Sequence, residues 1–83
     1  MHIFYTPKAV GQLERMSSTD RSRILKKIEF FAEQKDPFVF AKHLVGYNAY
    51  RFRVGNYRIL CEPRSDTLIV LLVAKREGAY KHL

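Results

Sequence analysis

Three arginines, Arg51, Arg53 and Arg58, lie within an eight-residue stretch around the dipeptide Gly55-Asn56. Arginine carries a permanent charge and five donors in a rigid fork, a geometry suited to phosphate oxygens. If Gly55-Asn56 is a two-residue hairpin turn, pairing runs outward as Val54 with Tyr57, Arg53 with Arg58, Phe52 with Ile59, Arg51 with Leu60 and Tyr50 with Cys61. Side chains alternate across a strand, so Tyr50, Phe52, Val54, Tyr57, Ile59 and Cys61 share one face. Arg51, Arg53 and Arg58 share the other. Like charges placed opposite one another cost about 0.2–1 kcal/mol per pair, so this trio opposes stability and fits a phosphodiester cradle. A solvated basic face, with Glu62, Asp66 and Glu77 neutralising part of the charge, explains the same pattern.

The remaining groups that could do chemistry are at the C-terminal end. Lys75-Arg76-Glu77-Gly78-Ala79-Tyr80-Lys81-His82-Leu83 adds cations and one phenol after an apolar strand. Tyr80 could stack on a base, transfer a proton or simply pack. Metal and cofactor sites are not expected: His2, His43, His82 and Cys61 show no ligand spacing, and no glycine-rich phosphate loop or nucleophile motif is present. Cys61 reads as a buried strand thiol.

The elements that must position these groups follow from local patterning. His2 to Tyr5 reads as a short strand, and Thr6-Pro7 supplies an N-cap and a proline at the first helical position. Val10, Leu13 and Met16 continue at helical spacing. Ser17-Ser18-Thr19-Asp20 then resembles a capping box opening a longer helix, with Ile24, Leu25, Ile28, Phe31 and Ala32 on one face, that stops near Asp36-Pro37. Phe38 to Tyr47 has no clean period and reads as a connection with a helical turn. The hairpin strands Tyr50–Val54 and Tyr57–Cys61 come next, then a turn over Pro63 to Thr67. The run Leu68 to Ala74 has the continuous apolar character of a strand covered on both faces.

The expected architecture is a single α+β domain over residues 1–83, with two helices on one face of a mostly antiparallel four-stranded sheet, β-α-α-β-β-β, and a short C-terminal segment. Composition agrees: 83 residues allow one core, and 47% hydrophobic with 28% charged residues is globular. Fifteen lysines and arginines against eight acids, a net +7, favour a polyanionic partner. The sequence contains no bilayer-spanning run and no secretion signal at its start, so the expected location is the cytoplasm, away from membranes.

The stretch Tyr50-Arg51-Phe52-Arg53-Val54-Gly55-Asn56-Tyr57-Arg58-Ile59-Leu60, the long apolar strand, then Lys75-Arg76 and Tyr80, resembles the RelE/ParE toxin superfamily over most of the chain. Lys42-His43-Leu44-Val45-Gly46 resembles the lysine-leucine-glycine element that precedes the hairpin there. The RelE-type branch implies a ribosome-dependent endoribonuclease, an mRNA interferase that enters the A site. There the messenger's 2'-hydroxyl attacks the adjacent phosphate, giving a 2',3'-cyclic end and inhibiting translation without metal or cofactor. Arg51 and Arg53 match paired basic positions where lysine often stands in relatives. Arginine is the poorer proton carrier, which favours RNA binding and charge stabilisation at both. Arg58 and Arg76 match arginines that stabilise the transition state, and Tyr80 matches the tyrosine that orients or deprotonates the 2'-hydroxyl. Nearby arginines are expected to favour its phenolate, and His82 is an alternative acid or base. Lys42, Lys75 and Lys81 complete the expected RNA-binding set. The resemblance implies two partners, mRNA on the ribosome with its rRNA, and a cognate antitoxin. A ParE-like toxin on the same fold would instead poison DNA gyrase, and a non-catalytic basic domain would only bind.

Overall fold

The computed structural model describes residues 1–75; Arg76, Tyr80, Lys81 and His82 lie outside the described residues. The elements run β1 (His2–Tyr5), α1 (Pro7–Glu14), α2 (Ser18–Glu33), a 3-10 turn (Pro37–Phe40), β2 (Lys42–His43), β3 (Tyr50–Val54), β4 (Tyr57–Arg64) and β5 (Thr67–Lys75). They build the expected α+β fold. The sheet has five strands in the order β1-β5-β4-β3-β2, with β1 parallel to β5 and every other pair antiparallel.

The fifth strand is β2, in the segment expected to be a connection with a helical turn. Its two residues pair Lys42 with Arg51 and His43 with Tyr50. Two residues carry no readable period, so the pairing is decided by the edge that β3 offers. A tight loop returns the chain, with the Leu44 N–H donating to the Ala49 carbonyl at 3.0 Å and Gly46 at φ +86°.

Both helices start on the expected caps. Thr6 Oγ1 accepts from the Ala9 N–H at 3.2 Å and Ser17 Oγ from the Asp20 N–H at 3.1 Å. In α1 the buried residues are Ala9 and Leu13. Val10, expected inside, is 41% exposed, and Ala9 is the buried neighbour that joins the core. In α2, Ile24, Ile28, Phe31 and Ala32 are buried. Phe31 stacks on Phe52 of β3, with ring centroids 4.5 Å apart and planes inclined by 27°, an arrangement worth about 0.5–1.5 kcal/mol beyond area burial.

An irregularity in the β4–β5 ladder orients the sheet. Leu60 pairs with Leu72 but Cys61 pairs with Val70, so Leu71 is an extra residue on β5. Its carbonyl accepts from Thr6 Oγ1 at 3.1 Å, and beyond it the Val73 N–H donates to Gln12 Oε1 at 2.7 Å. Side chains of α1 thus satisfy the β5 edge where β1 has ended. The bulge resets the alternation, so Leu68, Val70 and Val73 all join the core under the helices. Leu60 and Leu72 are also buried but point to the opposite face, outside that core. An apolar run without alternation is the sequence trace of this arrangement.

Candidate nucleic-acid interface

The hairpin register is the one deduced from the Gly55-Asn56 turn: Val54–Tyr57, Arg53–Arg58, Phe52–Ile59, Arg51–Leu60 and Tyr50–Cys61. Gly55 has φ +57° while Asn56 does not take positive φ, the pattern of a hairpin turn with glycine first. Phe52, Val54, Tyr57, Ile59 and Cys61 are buried beneath the helices. Arg51, Arg53 and Arg58 therefore project from the face that the helices leave uncovered, Arg53 exposed and the other two half-buried. Arg53, Gly55, Asn56, Tyr57 and Arg58 surround a small pocket of about 90 Å³ at the hairpin tip.

The other expected residues divide by register. Lys42, exposed on edge strand β2, pairs with Arg51 and so extends the arginine face. Lys75 does not join it. It pairs with Tyr57, whose side chain points to the helices, and lines a cleft with Gln12, Arg15, Ser17 and Asp20 at the α1–α2 junction. The bulge at Leu71 places Lys75 on that side, an effect no local pattern announces. Of the acids expected to neutralise the face, Glu62 Oε2 accepts from Arg64 Nε at 3.1 Å and Nη2 at 3.0 Å, and Asp66 lies 3.9 Å from His2. Both contacts sit at the far end of β4 from the hairpin tip.

The support behind the tip was not foreseen. Tyr57 donates its hydroxyl to Asp20 Oδ2 at 3.2 Å, and Arg23 Nη2 lies 3.4 Å from Asp20 Oδ1. Burial and then the Asp20 carboxylate push the Tyr57 phenol above its usual value, with Arg23 acting against the shift. The hydroxyl stays protonated and serves as a donor. Arg23 also covers the turn, where a Cβ on Gly55 would fall 3.2 Å from its Nη2. One helical turn of α2 thus holds the loop that carries Arg53 and Arg58. Asp20 gave only a capping signal and Tyr57 only a core signal, so nothing in the sequence joined them.

Cys61 is fully buried and its thiol is pushed up by burial, matching the inert strand thiol expected. Among the described residues no three His, Cys, Asp or Glu side chains converge as metal ligands do. No helix among them is long and apolar enough to cross a membrane.

Comparison with known proteins agrees with the resemblance. Residues 3–80 match the family described as ParE toxin of type II toxin-antitoxin system, parDE. Toxin RelE3 of Methanocaldococcus jannaschii is 34% identical over 86 aligned positions, covering 99% of this chain and 98% of that protein. The toxin of the RelB-RelE antitoxin-toxin complex from Methanococcus jannaschii superimposes with a TM-score of 0.75 at 31% identity, over 96% of this chain and 98% of its own. The intact Escherichia coli RelBE toxin-antitoxin complex gives a TM-score of 0.74 at 19% identity, covering 89% of this chain and 94% of that one, a likeness of fold.

Proposed function

Because the chain belongs to the RelE/ParE toxin superfamily and is a toxin of a type II toxin–antitoxin system, we propose that it is a ribosome-dependent endoribonuclease that cleaves mRNA in the A site. The observation that carries this reading is the placement of Arg51, Arg53 and Arg58 on the helix-free face, with Arg53 directly opposite Arg58. Three guanidinium groups converging on one face offer the bidentate, permanently charged donors that phosphate oxygens accept from.

In the proposed reaction the messenger's 2'-hydroxyl loses its proton and attacks the adjacent phosphorus, the bond to the 5'-oxygen of the next nucleotide breaks, that oxygen takes up a proton from solvent to leave as a 5'-hydroxyl, and a 2',3'-cyclic phosphate remains. Arg51, Arg53 and Lys42 hold the RNA strand. Arg58 and, by resemblance, Arg76 stabilise the extra negative charge that develops on the phosphoryl oxygens. Tyr80 orients or deprotonates the 2'-hydroxyl, with His82 as the alternative proton carrier. Lys81 adds a further cation. Lys75 lies off the arginine face, in the cleft at the α1–α2 junction, and in this reading does not hold the segment that is cut. No step calls for a metal or cofactor. The proposed partner in regulation is an acidic antitoxin, supported by the net charge of +7 and by similar toxins having been solved with RelB bound.

A second reading, gyrase poisoning without RNA cleavage, is favoured by one observation, the match of residues 3–80 to a ParE toxin family. The experiment that separates the two is primer extension on translating ribosomes. The expected result is codon-dependent breaks with wild-type protein. Arg58→Ala and Tyr80→Phe are expected to reduce cleavage by at least about 100-fold, the scale of losing one charge-stabilising donor or one proton carrier. Gyrase-linked DNA breaks with intact RNA would overturn this reading, and unchanged cleavage by both variants would remove the assigned roles.

A further inference from the structure

Charge is distributed unevenly along the sheet axis. At one end the Met1 amine donates to the Ala32 carbonyl and the His2 N–H to the Asp66 carbonyl, which places the acids Glu33, Asp36, Glu62 and Asp66 at or near that end with the cations Lys35, Arg64 and the Met1 amine. The other end carries the hairpin tip and the start of α2, joined through Tyr57 and Asp20. There the cations Arg15, Arg23, Arg53, Arg58 and Lys75 stand against Glu14 and Asp20. Such segregation focuses a positive potential at the tip.

The arginine face does not end at the turn. Glycine at position 55 leaves bare backbone between Arg58 on one side and the Arg23 guanidinium on the other. From Arg23 an open groove continues along α2, lined by Ser18, Thr19, Ser22 and Lys26. Arg23 is 54% exposed at its side chain, and among the described residues its acidic contact is the 3.4 Å pair with Asp20. Exposed ion pairs contribute little to stability, so Arg23 exchanges that contact for a phosphate at small cost. The groove offers two cations and three hydroxyls, a donor set suited to an RNA backbone and uninformative about sequence.

We propose that the RNA-binding surface continues around the hairpin tip onto α2, where Arg23 and Lys26 hold phosphates outside the segment that is cut. The proposal rests on the RNA-directed reading above and names a second contact for it. The α2 station supplies affinity and register, whereas the sheet face supplies chemistry.

The test compares Arg23→Gln/Lys26→Gln with a control of equal charge change on other exposed lysines, Lys8→Gln/Lys35→Gln. Binding of the full chain to single-stranded RNA oligonucleotides of about 6 and about 14 nucleotides, lengths typical of single-strand sites, is measured against salt. With the longer RNA, the Arg23/Lys26 variant is expected to bind about tenfold more weakly than the control, and its slope of log K against log salt falls by about 1.4, or about 0.7 for each lost phosphate contact. With the shorter RNA the two variants bind alike. Circular dichroism melting checks that both remain folded. Equal affinity and slope for the two variants on the longer RNA overturn the proposal. Wild-type binding without cleavage on ribosomes overturns only the enzymatic reading, and the slopes still decide the α2 station. Absence of oligonucleotide binding by the wild type overturns the α2 station, whereas the ribosome-dependent reading stands or falls on primer extension.

Discussion

Tyr5 and Tyr57 place phenols on the helix-facing side of the sheet, and neither is a candidate for proton transfer. Burial, reinforced by Glu29 and Cys61, pushes Tyr5 up to about 12, and Tyr57 is raised by burial and Asp20. A phenol raised above its unfolded value of about 10 contributes stability that is fully present below that pH. The contribution is lost as pH rises through the folded-state value. Between about pH 10 and 12 the thermal midpoint is therefore expected to fall more steeply for the wild type than for Tyr5→Phe. Identical pH profiles by calorimetry would contradict the assignment. At this scale the sequence was legible in type and facing. Arg51, Arg53 and Arg58 share a face because alternation has a period of two, and that follows once the turn is recognised. The Asp20–Tyr57 contact was illegible, because 37 residues separate its partners and neither residue type demands the other.

The β3–β4 hairpin is the element on which the site depends. A two-residue turn sets the register of every pair beyond it, so Gly55-Asn56 was enough to order ten residues correctly. Gly55→Ala is expected to destabilise the protein by about 1–2 kcal/mol, the cost of a side chain in left-handed conformation. Its Cβ would also crowd the mobile end of Arg23. In urea this is read as a lower midpoint with an unchanged slope, and an unchanged midpoint would refute the role of the turn. The short strand β2 was illegible for the converse reason, since two residues carry no period and form a strand only because β3 offers an open edge. The β4 strand also runs further than its sequence suggests. It continues through Pro63 to Arg64, leaving Ser65 and Asp66 as the turn. Proline is accepted there because β3 pairs no further than Cys61, so no ladder bond is lost on that side.

Among the described residues, helices close one face of the sheet and the arginines project from the other, where Leu60 and Leu72 are also buried. Phe31 and Phe52 tie the two layers at their centre. Phe52→Ala is expected to cost about 3–5 kcal/mol, a large share of the roughly 5–15 kcal/mol that holds a small domain. Chemical denaturation should show it, and a loss below about 1 kcal/mol would mean that the aromatic contact is peripheral. By contrast, Arg23→Gln/Lys26→Gln leaves this core untouched, which makes binding and folding separable in the test described above. By itself the sequence determined the order of the two helices and the four longer strands, the two helix caps, the hairpin register and the side on which three arginines emerge, because each is set by contacts within a few residues. Tertiary structure alone decided the bulge at Leu71, the removal of Lys75 to the helix side and the closure of Arg23 over Gly55. Those outcomes depend on edges and surfaces meeting across the chain, and no local period encodes such a meeting.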